Sequence, residues 1–167
     1  MAVKILQADN YIDKFVSDKA SQKIVIEAVN NHNKFMIDGN LESRTELFSK
    51  IIRDADKLDI INLMVNGKLE IAFNSGSISS EVMDSILNEQ EVKNADRHSK
   101  IDDYVSSAAY IFDFNFKFSI QYVKDRNLIS TLVDNIVIRN DSEKEKLLAI
   151  KVTVSEYLKD RLEEAKC

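Results

Sequence analysis

The residues of this sequence best suited to metal or phosphate chemistry lie in residues 51–59, which read IIRDADKLD. The first aspartate of this segment, Asp54, stands at helical spacing within an apolar stripe, where an aliphatic side chain would serve packing. Burying an ionised carboxylate is costly unless a metal, a cation or several hydrogen bonds compensate it. Asp54 is therefore the first candidate site residue. The stripe around it consists of Leu47, Ile51, Leu58, Ile61 and Val65.

Two roles are consistent with the position of Asp54 in the sequence. It is either a metal ligand or a buried structural residue that caps a neighbouring helix or pairs with an arginine or lysine. Asp56 points to a different face of the helix and is predicted to be solvated. Asp59 falls near Phe48 and Ala55, on the side that also carries Ile52, and is predicted to make a structural contact.

His32 is the second candidate, because its spacing from Val25 and Ala28 places it near the apolar face of the preceding helix. There it could face Asp54 across a helix pair. It is either a metal ligand or a hydrogen-bonded core or loop histidine. His98 lies in a polar stretch and is predicted to be a solvated loop residue.

Arg53 and Lys57 flank Asp54 and could bind a phosphate group. The alternative for both is pairing with acidic side chains on the helix surface. Other chemistries find no support, since the sequence has no glycine-rich phosphate loop, no CxxC pair, no HExxH and no GxSxG.

The composition predicts that helices position these residues. The chain of 167 residues has no proline and only three glycines, with 44% hydrophobic residues, which favours a single all-α domain over residues 1–167. The strongest predicted helix covers residues 42–65 and ends at Asn66 and Gly67. A second long helix, with one apolar stripe from Leu147 to Leu162, is expected over residues 143–164, after a cap at 140–142.

The sequence also predicts several shorter helices. Near the N-terminus, Asp9 and Asn10 could interrupt a helix over residues 2–17, and Ser21 is a candidate N-cap for the next helix. Further predicted helices cover residues 81–89, opened by Ser79 or Ser80, then 102–122 and 128–136, with a short extended or irregular piece at 69–73. Aromatic residues alternate over 110–118, as in a strand, but length and the lack of turn residues favour a buried helix.

Charge and cysteine content limit the classes of partner and the cellular compartment that we expect for this protein. The net charge of −5 and the mixing of acidic with basic residues exclude general affinity for nucleic acid. A single cysteine, Cys167, rules out an internal disulfide framework and fits a reducing compartment. No apolar run is long enough to cross a bilayer. The sequence predicts a cytoplasmic protein.

Residues 31–34 (NHNK) and 49–59 (SKIIRDADKLD) resemble the HD-domain superfamily of metal-dependent phosphohydrolases, and residues 112–117 and 157–159 resemble a small bacterial subgroup of it. The resemblance implies a helical bundle in which a histidine, an adjacent His-Asp pair and a distal aspartate hold divalent metals that activate water. Asp54 matches the distal aspartate, and His32 matches a histidine that faces a second metal or the substrate. Arg53 and Lys57 would then bind substrate, a phosphate ester or nucleotide, and the metal would be Mn, Fe, Ni, Mg or Zn.

The defining pair is missing, because His32 precedes Asn33 and His98 precedes Ser99. The resemblance thus implies an N-terminally incomplete bundle with two motif ligands, against the three typical of a catalytic metal, and no assignable catalytic residue. Helices exposed by that loss are expected to bury their apolar faces in a homo-oligomer or in a rearranged bundle. Two functions remain open: a truncated or degenerate phosphohydrolase, weakly active or inactive, and a non-catalytic helical module that binds a ligand or a protein.

Overall fold

The computed structural model describes residues 2–67, 76–138 and 140–163, and every regular element in these ranges is a helix, as the sequence predicts. Three 3-10 helices, at Ala8–Lys14, Asn94–Asp96 and Ser106–Asp113, accompany the α-helices within these ranges. The α-helices are α1 (Ala2–Gln7), α2 (Lys19–Asn31), α3 (Ser43–Val65), α4 (Ser80–Leu87), α5 (Lys100–Val105), α6 (Lys117–Asp125), α7 (Leu128–Asp134) and α8 (Asp141–Glu163).

The chain forms two compact units, Met1–Asp56 and Lys57–Cys167, where the sequence predicts one domain. No linker separates them, because the boundary falls inside α3. The helix ends at the predicted glycine: Gly67 has φ +65°, a left-handed conformation that suits glycine and stops a helix. The predicted extended piece at 69–73 lies outside the described residues.

The first unit begins with an interrupted helix, as predicted. Helix α1 gives way to a 3-10 helix, within which Asn10 has φ +54°. The predicted N-cap of α2 is wrong by three residues. Asp18 is the cap, and its carboxylate accepts a hydrogen bond of 2.7 Å from the backbone N–H of Ser21. Asp18 has the extended backbone of an N-cap, with φ −80° and ψ 122°, whereas Ser21 lies inside the first turn of α2.

The second unit holds the main apolar core. Helix α8 packs against α4, α6 and α7 through one stripe, and the predicted members of that stripe are largely buried. The first turn of α4 begins after Ser79, as the sequence predicts. The buried residues of α8 are Glu143, Leu147, Ile150, Val154, Leu158 and Leu162.

The aromatic segment of the second unit is broken where the sequence predicts a continuous helix or helix pair over 102–122. Helix α5 continues as a 3-10 helix, and α6 begins only at Lys117, because Phe114 and Phe116 have extended backbones with ψ of 130° and 136°. The sequence also predicts that the aromatic side chains between residues 104 and 122 belong to the core, and this prediction is wrong for one of them. Tyr104 and Phe114 are buried, whereas Phe118 is 75% exposed.

None of the helices in the described parts of the chain is both long and apolar enough to span a membrane.

Candidate functional site

Helix α3 carries most candidate residues, and the predicted buried stripe is confirmed at Asp54 and Ile61 but is wrong for its first two members. Leu47 and Ile51, expected in the buried stripe, are 47% and 45% exposed. Five of the seven buried positions of α3 recur every four residues, so that the packed face lies away from these two side chains. These five positions are Thr45, Ser49, Arg53, Lys57 and Ile61.

The helical spacing correctly predicts the exposure of two of the three aspartates of α3. Asp54 is 3% exposed, which confirms its burial. Asp56 is exposed, as predicted, and Asp59 is exposed as well. Asp54 takes part in at least one interaction within the protein, so it is not an isolated buried residue.

Arg53 connects α3 to the segment that follows α2. Its guanidinium donates to the carbonyl oxygens of Lys34 and Phe35, the latter at 2.7 Å, and lies 3.4 Å from the carbonyl of His32. Carbonyls just beyond a helix lack intrahelical partners, and a planar guanidinium can satisfy several of them together. Arg53, which is 2% exposed, therefore stabilises the segment that directly follows α2.

We expect Arg53→Lys to lower the free energy of unfolding by about 1–2 kcal/mol, because an ammonium cannot reproduce the paired guanidinium hydrogen bonds. Urea denaturation measures this difference. Arg44→Lys on the exposed side of the same helix is the matched control and should leave stability unchanged. A loss no larger than that of the control would contradict the role assigned to Arg53.

Lys57 lies in the second unit between two carboxylates. Its ammonium is 2.6 Å from Glu91 Oε1 and 2.6 Å from Asp113 Oδ2, and it sits 5.3 Å from the centre of the Tyr110 ring. The Lys57 side chain is only 7% exposed. Two carboxylates therefore bind the Lys57 ammonium, whereas the sequence suggested that this ammonium could bind a phosphate group.

His32 follows α2 directly and is partly buried. Its Nδ1 lies 2.5 Å from the carbonyl oxygen of Val29, so Nδ1 carries the proton and donates it. In a neutral imidazole with this hydrogen bond, the Nε2 lone pair is the acceptor, and that is the form that binds metals.

A divalent metal, as the resemblance implies, needs about three protein ligands at a catalytic centre. Within 2–67, 76–138 and 140–163, no three His, Cys, Asp or Glu side chains are grouped to hold a metal ion. His32 and Asp54 alone do not meet that need. The donor set described here does not fit a catalytic metal held by a single chain.

The sequence reasoning missed two buried carboxylates, which hold the chain entering α4. Asp102 accepts hydrogen bonds from the Ser79 backbone N–H at 2.8 Å, the Ser79 hydroxyl at 2.6 Å and the His98 backbone N–H at 3.0 Å. Glu143 accepts from the Ile78 backbone N–H at 2.8 Å and from the Ser77 hydroxyl at 3.0 Å. Together they accept hydrogen bonds from two hydroxyls and two backbone N–H groups of residues 77–79.

These contacts set the protonation of both groups. Burial alone raises the pKa of Asp102, but the hydrogen bonds from Ser79 and the His98 backbone outweigh it and bring the pKa below its ordinary value. Burial likewise raises the pKa of Glu143, and the Ile78 backbone N–H and Lys146 bring it below the ordinary value. A local signal did exist for Asp102, because Ser99 caps α5 and Ser-x-x-Asp is a helix-start pattern.

A scan against protein-family models and searches of curated proteins and solved structures found no match for this chain.

Proposed function

We propose that this chain is a degenerate HD-type phosphohydrolase domain that acts as a helical binding module rather than as a catalyst. The observation that carries the proposal is the engagement of the two basic side chains beside Asp54. Arg53 is bonded to backbone carbonyls and Lys57 to two carboxylates. A phosphate ester would have to displace these acceptors before either cation could bind it.

Two depressions of the second unit are small for a ligand pocket, whereas the first unit exposes apolar side chains that a protein partner could cover. A depression of about 190 Å³ lies among α6, α7 and α8, and another of about 240 Å³ lies between α7 and α8. Both are smaller than the roughly 300–1,000 Å³ of typical ligand pockets. The exposed apolar side chains of the first unit, including Phe15, Met36 and Leu47, offer more contact area to a protein.

Catalysis with ligands completed by another chain is the second candidate. It is favoured by the burial of Asp54 and by the tautomer of His32, whose Nε2 is the acceptor. These two residues match the positions that the HD resemblance assigns to metal binding.

Metal analysis and a hydrolysis assay on the purified full chain separate the two candidates. After incubation with Mn²⁺, Fe²⁺, Ni²⁺, Mg²⁺ or Zn²⁺ and desalting, we expect well below one equivalent of metal per chain. We also expect no hydrolysis of a panel of phosphate esters and nucleotides above the metal-only blank.

Asp54→Asn tests the residue itself, with Asp56→Asn on the exposed face of the same helix as the matched control. Both variants should behave like the parent chain in these assays. A stoichiometric metal and a phosphatase activity that Asp54→Asn abolishes and Asp56→Asn retains would overturn the proposal and establish catalysis.

A further inference from the structure

The N-terminal half of α3 exposes its apolar face and buries its polar one. Leu47, Phe48 and Ile51 are 47%, 36% and 45% exposed, whereas Thr45 and Ser49 on the opposite side are at most 1% exposed. Scattered exposed apolar residues are ordinary, but a contiguous stripe on one helix face usually marks an interaction surface. We call this stripe, with Ala55 one turn further on, the α3 face.

The first unit as a whole is short of buried apolar side chains. Among its described residues, only Ile12 and Ala28 belong to the buried apolar set. Yet this unit carries eight of the thirteen large apolar side chains that are exposed in the described parts of the chain. The apolar surface is thus concentrated where the internal core is smallest, which is the pattern expected of a unit that packs against a partner.

On this side of α3, charged residues flank the α3 face and the residue types are arranged symmetrically about Ile51. Arg44, Phe48, Ile51, Ala55 and Asp59 follow one another at three- and four-residue spacing, and Arg44, Ala55 and Asp59 are exposed as well. Helix α3 is continuous over these positions, so its own geometry places them on one side of its axis. When the same series is laid beside it in the reverse direction, Arg44 lies opposite Asp59 and Phe48 lies opposite Ala55. Ile51 then lies near the centre of the pairing.

We infer that a second copy of this chain covers the α3 face, with the two α3 helices antiparallel about a twofold axis near Ile51. Phe48 of each copy then packs over the small Ala55 of the other, and Arg44 meets Asp59 across the axis. A twofold interface is self-complementary in this way. The eight basic and nine acidic residues among the first 56 nearly balance, so little net repulsion opposes the pairing.

This inference rests on the proposed binding function and names its partner. A helix pair over about four turns buries less than the roughly 1,600 Å² of a standard interface, so we expect a dissociation constant in the micromolar range. Sedimentation velocity from about 1 to 200 μM should show a monomer–dimer equilibrium, as expected for contacts of this size. A chain that stays monomeric, or that forms the same dimer after Ile51→Glu, overturns the inference.

Ile51→Glu should weaken dimerisation at least tenfold, because two carboxylates would meet at the axis. The matched control is Phe118→Glu, which makes the same charge change at a 75% exposed apolar residue of α6 and should leave the equilibrium unchanged. Because Ile51 is already 45% exposed, the variant should fold, and its urea denaturation curve verifies this.

The antiparallel register has its own test. Arg44→Glu should weaken the dimer, and adding Asp59→Arg should restore it. In a Cys167→Ser background, Ile51→Cys should form a disulfide-linked dimer on mild oxidation, whereas Phe118→Cys should not. Failure of the charge swap and of the Ile51→Cys crosslink would exclude this pairing. Such a result would not contradict the proposed binding function, which the metal and hydrolysis assays test separately. Failure of the dimer inference and failure of the proposed function are therefore distinguishable.

Discussion

Lys57→Met is expected to lower the free energy of unfolding by about 3–5 kcal/mol, the usual cost of removing one member of a buried charge cluster. The side chains of Glu91 and Asp113 are only 15% and 27% exposed and each lies 2.6 Å from the Lys57 ammonium. Without that cation, two carboxylates would face each other at low exposure. Partial exposure of Asp113 allows some solvent screening and places our expectation near the lower end of the range.

Two comparisons make this result specific. Lys144→Met removes an ammonium whose partner, Asp141, is 90% exposed, and it should change stability by less than about 0.5 kcal/mol. Adding Glu91→Gln and Asp113→Asn to Lys57→Met should recover part of the loss, because the two carboxylates then no longer repel each other. Urea denaturation measures all of these variants. Equal stability of Lys57→Met and the parent chain would show that the cluster contributes nothing.

The same variant also distinguishes a structural lysine from one that binds phosphate. If Lys57 is committed to Glu91 and Asp113, inorganic phosphate should not stabilise the parent chain more than it stabilises Lys57→Met. A selective thermal stabilisation of the parent chain by phosphate would instead support the substrate-binding role that the sequence suggested.

Asp102→Asn is the second large effect that we expect, a loss of about 2–3 kcal/mol near neutral pH, since hydrogen bonds to a charged group contribute more than neutral ones. Asp102 is fully buried and accepts from Ser79 and His98. An asparagine side chain has the same shape, but its NH₂ group cannot accept those bonds. The exposed neighbour Asp103→Asn is the matched control and should be nearly neutral.

The pKa of Asp102 gives this effect a pH dependence. Its pKa is lowered in the folded protein, so the folded state favours the ionised carboxylate more than the unfolded state does. The resulting stability is present above the unfolded pKa of about 3.9 and is lost as pH falls through the lower folded pKa. Glu143 has the same sign. The stability difference between the parent chain and Asp102→Asn should therefore shrink progressively below about pH 5. A difference that stays constant down to pH 2 would contradict it.

Local patterns in the sequence determined much of the helical framework. The absence of proline, the apolar spacing over 42–65 and the glycine at 67 predicted α3 almost to its ends. The same kind of pattern predicted α4 and the buried stripe of α8. These features follow from interactions within a few residues along the chain, which is the range that periodicity and capping rules describe.

Tertiary structure decided which face of α3 is buried and what its charged residues do. Periodicity placed Leu47 and Ile51 inside, but the contacts of Arg53 with carbonyls 18 and 19 residues earlier turn the opposite face inward. Lys57 reaches partners 34 and 56 residues away, and Glu143 reaches back 65 residues to Ile78. No local rule encodes such pairs. The sequence by itself therefore determined the helices and singled out Asp54 as a buried carboxylate, whereas the roles of Arg53 and Lys57 depend on long-range neighbours that only the folded chain brings together.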